Sequence, residues 1–175
     1  MAIRGAEFAV SRMVTILQAN LAAELDLIDG EEADGITMDD VPNAQFYQGE
    51  MDDQHTPEYP AIVVDARAST PIAITTTTHS PGTDQSEHDI LVSVLMSNFK
   101  NESKADLKKR VLRYARAIVR VLAIKNPTLP DSGAPTVLQV RREGAGAATY
   151  QASEENGVYL RTAEIPFLVQ TYENL

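Results

Sequence analysis

Cysteine is absent from the 175-residue sequence. That excludes disulfides, thiolate chemistry and cysteine-based zinc sites, and it fits a reducing compartment or an assembly built inside a cell. Long apolar runs are absent as well. Nothing approaches ~18 consecutive apolar residues, so no membrane-spanning helix is expected. The start, Met1-Ala2-Ile3-Arg4-Gly5, leads straight into a helical pattern and lacks the apolar stretch and small-residue cleavage site of a signal peptide. Basic charge is missing from a whole third of the chain: there is no Lys or Arg between Met13 and Ala66, while acids crowd the stretch from Glu24 to Asp65. The formal charge of −10 argues against nucleic-acid binding through a broad basic face. By contrast, six of the fifteen basic residues fall between Lys108 and Arg120. The chain thus divides into an acidic first third and a basic helix.

A chain of this length is expected to form one domain, burying roughly two-thirds of its unfolded surface. Val10, Met13, Val14, Leu17, Leu21, Leu25 and Ile28 recur at helical spacing, which predicts an amphipathic helix over about Ala6 to Ile28 with Gly30 as its stop. An acidic loop region follows at about 31–58, with a short strand around Phe46-Tyr47 and turn chemistry at Asp52 to Pro57. Ala61 to Val64 reads as a strand entered from Pro60, and Ser69 to His79 as a second, edge-like stretch because of Pro71. Glu87 to Asn98 alternates with both faces fairly apolar, the pattern of a central strand covered on both sides. A second helix is expected over Asn101 to Ile124, capped by Ser103 or Asn101 and ended by Asn126-Pro127. Pro130 to Pro135 reads as a link, Thr136 to Arg142 and Gly157 to Tyr172 as the last strands, and the residues around Gly144 to Ala148 and Ser153 to Asn156 as flexible loop. Consecutive strands predict an α+β fold: a mixed, mainly antiparallel sheet with two main helices packed on it.

Three candidate chemistries present themselves. The three histidines, His55, His79 and His88, share no metal-ligand spacing. Glu87-His88-Asp89 is an acid–imidazole–acid triplet, but neighbours on a strand point to opposite faces, so His88 reads as a surface residue at a strand end. A small α+β hydrolase or ligand-binding domain using His88 and the nearby acids is the enzymatic alternative. The acids of 24–58 do not match a calcium-loop pattern and read as a solvated loop. Gly144-Ala145-Gly146-Ala147 lacks the Lys-Ser/Thr of a phosphate cradle and reads as a hairpin loop. No cofactor and no metal is expected, and no catalytic residue is assigned.

The basic helix is the remaining feature. Lys109, Arg113, Arg116 and Arg120 lie on one face, at spacings where like charges repel by a few tenths of a kcal/mol per pair. They form a solvated surface, or they meet acid. The acid would come from the chain's own loop, or from Glu31, Glu32, Asp34, Asp39 and Asp40 of a neighbouring subunit. The second arrangement is heterologous, and a closed rotation makes it a ring.

The layout resembles the tail-terminator and tail-completion proteins of tailed bacteriophages. The segments that carry it are Tyr59-Pro60-Ala61-Ile62 entering a core strand, the alternating Ile90-Leu91-Val92-Ser93-Val94, the helix from Leu112 to Leu122 ending at Asn126-Pro127, and the closing strand Gly157 to Phe167. The resemblance implies a structural virion protein at the neck, assembled in the host cytoplasm, without cofactor or enzymatic activity. It implies a homohexameric ring that caps the tail tube protein, offers a docking surface to the head–tail connector or stopper protein, and lets genomic DNA pass without specific binding. An acidic lumen would repel phosphates. The 31–58 loop is longer than a compact member needs; it could line the lumen, contact a neighbour, or reach a sheath or connector partner. A head–tail adaptor or stopper is the alternative within the same class.

Overall fold

The computed structural model describes residues 5–49, 58–71, 83–97, 103–126, 128–130, 137–155 and 158–174. Two helices lie on one face of a seven-stranded, mostly antiparallel sheet, so the fold is α+β. In chain order the elements are α1 (Ala6–Glu32), β1 (Phe46–Gln48), β2 (Ala61–Pro71), β3 (Thr83–Ser97), α2 (Lys104–Val119), β4 (Thr128–Pro130), β5 (Val137–Arg141), β6 (Thr149–Glu155) and β7 (Val158–Asn174). The sheet runs β1-β2-β3-β7-β5-β4, with β6 also paired to β7. Only β1 is parallel to its neighbour.

Alternation explains the layering. Ile90, Val92, Val94 and Met96 of β3 and Ala163, Ile165, Phe167 and Val169 of β7 are buried under the helices in one core cluster with Met13, Leu17, Leu21, Leu25 and Ile28 of α1 and Leu107, Val111, Tyr114 and Ile118 of α2. The core stripe of each helix follows the expected spacing. On the far face of β3, Leu91 is buried while Ser93, Leu95 and Ser97 are half-buried. β3 is central, as expected, but the helices cover only one of its faces; the second apolar face is sheltered in part by the loop 142–148, which lies beside Leu91, Pro166 and Leu168.

Several boundaries differ from the sequence expectation. α1 runs through Gly30 to Glu32 and stops at Ala33, whose left-handed φ of 44° lets its N–H reach the Asp29 carbonyl. Ala61–Val64 and the start of the 69–79 stretch form one strand with an irregularity between Ala66 and Ala68; residues 72–79 lie outside the described part, as do Asp52 to Pro57 and Asn101. β3 begins at Thr83, earlier than expected. Ser103 caps α2, its hydroxyl accepting the Asp106 N–H at 3.0 Å. The second helix ends in a wider turn, Arg120–Lys125, closed by Asn126 N–H to the Val121 carbonyl. Thr128–Pro130 pairs with β5, so the link read at 130–135 begins with a strand. β6 is the largest correction: Thr149–Glu155 was expected to be partly loop and is a seven-residue strand. Its residues are exposed on both faces where described, so no apolar alternation marks it.

β7 holds the sheet together. Residues 160–174 of it pair with β3 on one side. On the other, β6 takes residues 158–164 and β5 takes 168–172, leaving a gap at Ile165–Phe167. Arg142 fills that gap. Its guanidinium donates to the Pro166 carbonyl and, at 3.1 Å, to the Gly146 carbonyl, and lies 5.5 Å from the centre of the Phe167 ring. Gly144 and Gly146, with φ of 81° and 92°, supply the left-handed turns that carry the chain around this plug. Burial lowers the Arg142 pKa from its usual value. Replacing Arg142 by Met should cost about 1–3 kcal/mol by leaving a strand carbonyl without a donor; urea unfolding measures it, and an unchanged midpoint would show that the gap tolerates an apolar plug.

Candidate functional site

The charged groups singled out in the sequence come together along α2. α1 and the strap that follows it, residues 33–42, lie along α2, so that acids of α1 meet the cations from Arg116 to Lys125 and acids of the strap meet those from Lys109 to Arg113. Glu24, buried to 2% exposure, lies 3.3 Å from Arg120 Nη1 and in contact with Lys125 Nζ. Glu31 accepts two hydrogen bonds from Arg120, at 2.8 and 3.0 Å, and a third from Arg116. Glu32 takes the other Arg116 nitrogen at 2.8 Å. Asp34 is 2.7 Å from Arg113 Nη2 and 3.2 Å from Lys109 Nζ, and Asp39 is 2.9 Å from Arg110 Nη1.

Two backbone carbonyls complete the clamp. Arg113 Nη1 donates to the Ile36 carbonyl at 2.9 Å, and the Tyr114 hydroxyl donates to the Asp39 carbonyl. In return, the Met38 N–H donates to Asp29 Oδ2 at 2.7 Å and buries the Met38 side chain. Four side chains of the helix, Lys109, Arg110, Arg113 and Tyr114, thus meet the strap.

Electrostatics follow from these contacts. The hydrogen bond from Arg120 holds the Glu31 carboxyl below the usual carboxylate range, and Arg113 holds Asp34 lower still. Arg120 is raised in turn, chiefly by its bond to Glu31. Burial, with Asp39 adding, pushes the Tyr114 hydroxyl well above its ordinary value.

Of the two readings of the basic face, solvated or meeting acid, Arg113 takes the second and is 6% exposed. The reason is the strap, which makes a second inner face on α2 beside the one against the sheet. The pairing anticipated between subunits is formed here within one chain by Lys109, Arg113, Arg116 and Arg120 with Glu31, Glu32 and Asp34, while Asp39 meets Arg110. Asp40 is exposed and has no salt bridge among the described residues. The sequence reading gave no role in this set to Glu24, Asp29, Arg110, Tyr114 and Lys125. The signal for Glu24 was its position on the buried stripe, three residues from Leu21 and four from Ile28.

His88 also departs from expectation. It is buried to 2% exposure on the helix-side face, not at the surface. Its Nδ1 is 2.9 Å from Ser69 Oγ and its Nε2 is 3.1 Å from Thr171 Oγ1, hydroxyls that the flanking strands β2 and β7 bring to it. Glu87 lies on the opposite face, bonded to Arg141 and, at 3.1 Å, to Gln170. Asp89 shares that outer face with Leu91. The triplet therefore does not converge. Among the described residues no cluster of acids and histidines could hold a metal ion, and no helix is long and apolar enough to cross a membrane.

No family model matches the chain, and no curated protein sequence matches it. Among solved structures, a chain from the virion of a native gene transfer agent particle is 16% identical, with 96% of this chain and 98% of that chain covered and a TM-score of 0.42.

Two outcomes test the clamp. Arg113→Leu removes the donors to Ile36 and Asp34 and should cost about 2–3 kcal/mol; Arg113→Lys keeps the charge without the fork and should fall between. The acid limb is the second. Glu31 and Asp34 have folded pKa values below their unfolded ones, so in acid the unfolded chain binds more protons and stability rises with pH. The contribution is complete above the unfolded values near ~4 and is lost as pH falls through the folded ones. Tm should therefore drop below about pH 4, and Asp34→Asn should flatten that drop. An acid limb identical in Asp34→Asn and the parent would mean that the Arg113 pair contributes nothing.

Proposed function

We propose that the chain is a structural, non-enzymatic part of a tailed-phage-type particle: a tail terminator that assembles as a hexameric ring at the neck. The observation that carries this reading is the place of the resembling segments in the fold. Ala61-Ile62 open β2, Ile90–Val94 lie within β3, Leu112–Leu122 form the second half of α2 and the start of its closing turn, and Val158–Phe167 form the first ten residues of β7. These are the strands and the helix that build the two-layer core, so the likeness lies in the frame of the molecule and not in its loops.

The use of charge supports the same reading. The ion pairs of α2 are engaged in holding α1 and the strap to the helix, and the buried His88 sits between two hydroxyls. Side chains at the clamp's rim, Lys109, Arg116, Glu31 and Glu32, stay half-exposed and would extend the pairing to a neighbouring subunit in the ring. Exposed acids such as Asp26 and Asp40 would keep passing DNA from adhering. Tail tube protein on one side and a connector or stopper, with sheath in a contractile tail, on the other are the partners of this reading.

Native mass spectrometry and negative-stain microscopy, on the chain alone and mixed with polymerised tail tube, test it. Rings of six and tubes capped at one end are expected. A chain that stays monomeric in both conditions and leaves tube length unchanged would overturn the assignment.

A further inference from the structure

We propose that two copies of this chain join through the open edge of β6, about a two-fold axis. β6 pairs with β7 on one side, and no described strand takes its other side. Natural edges are usually blunted by lysine, proline or a bulge. Here β6 has neither lysine nor proline, its two charges, Glu154 and Glu155, stand together at its end, and its pairing to β7 runs without a register shift.

A second feature lies directly above that edge. Leu112 of α2 is 41% exposed and Tyr150 of β6 is 48% exposed, both among the few large hydrophobic side chains left open to solvent. They line a depression of about 300 Å³ with Lys108 and Arg161. Neither cation forms a salt bridge with a carboxylate among the described residues. Arg161 Nε is buried without a hydrogen-bond partner, and its other contact is with Tyr159. In a chain of net charge −10, this pocket holds two cations that no carboxylate among the described residues meets.

The second copy supplies one. Tyr150, Ala152 and Glu154 share the helix-side face of β6, opposite Ala163, Arg161 and Tyr159 of β7. An antiparallel pairing of β6 with itself, centred on Ala152, sets Tyr150 of each copy opposite Glu154 of the other. Glu154 then enters the pocket that holds Lys108 and Arg161, and the two Leu112–Tyr150 pairs close over the axis. A parallel pairing would instead place Glu154 beside Glu154, which is unfavourable. Glu154 gives up its bond to Lys104, in which both side chains are more than half exposed, a pair of little worth in water. The sheets of the two copies become one continuous sheet. This contact is closed and does not depend on the ring; a ring needs a second surface.

Sedimentation velocity, native mass spectrometry and hydrogen exchange on the whole chain test it. The parent chain is expected to form dimers, or even-numbered assemblies, with slowed exchange at the 149–154 amides that fades on dilution. Tyr150→Glu and Leu112→Glu should each raise the dimer dissociation constant by at least about tenfold, as for loss of an interface anchor, with circular dichroism unchanged because both side chains are already half open. Glu154→Lys should weaken the dimer, and adding Lys108→Glu should restore it. A dimer untouched by Tyr150→Glu overturns the proposal, and so does a monomer with freely exchanging β6 amides. A head-to-tail ring in which β6 exchanges freely would remove this contact and leave the ring reading standing; a dimer that never forms rings, with or without tail tube, would do the reverse.

Discussion

Arg113 sits almost wholly enclosed between α2 and the strap, and a guanidinium cannot be enclosed without acceptors for its donors. Asp34 and the Ile36 carbonyl provide them, and the Asp29 carboxylate of α1 adds its charge at 3.8 Å. That requirement fixes the path of residues 33–42, because the strap must run close enough to α2 to bring both acceptors. Once it does, Met38 is carried into the core and Asp39 arrives at Arg110 and Tyr114. Exposed pairs such as Arg116–Glu32 add little individually, but they lie on the same line and share one geometry. The buried pair sets the register, and the surface pairs follow it.

The sheet has a comparable dependence on one strand. β7 is the longest strand, and its second edge is divided between β5 and β6. Such a division leaves backbone groups unpaired where one partner ends and the next begins. Arg142 resolves this with a side chain in place of a strand. Its aliphatic stem and its stacking on Phe167 let a cation lie at the margin of an apolar layer. The helical layer and the sheet thus use the same device: a guanidinium that bonds carbonyls which regular secondary structure cannot reach.

What the sequence disclosed follows from how strongly each element repeats. α1, α2, β3 and β7 carry long apolar periods, and their existence, type and core faces were legible. The alternation of β3 foresaw its central place but could not say that one side would be covered by a loop instead of a helix. β6 was illegible because a strand exposed on both faces has no apolar period; its pairing with β7 is a tertiary fact. The charge split was legible as an imbalance. Its resolution was not, because helical spacing places Arg113 opposite the apolar stripe and nothing local says that Asp34 and Ile36 would return to cover it. His88 was misplaced for a related reason: a polar residue at the end of an apolar strand reads as surface until Ser69 and Thr171 are brought beside it.

The internal clamp also constrains how the molecule can meet others. Had the cations of α2 remained open, a chain so acidic elsewhere would attract its own copies along many orientations, since long-range charge attraction steers encounter more than it fixes geometry. Folding Glu24, Glu31, Glu32, Asp34 and Asp39 onto α2 removes most of that unspecific attraction. What remains open beside β6 is short-ranged and shaped: an unpaired row of backbone groups, two half-exposed apolar side chains, and a pocket with two cations. Contacts of that kind depend on register, because a slip of one residue along β6 would turn Tyr150 to the other face. The clamp and the edge are therefore parts of one design constraint. Charge is settled inside the chain first, so that association is decided by hydrogen bonding and shape, which permit few arrangements.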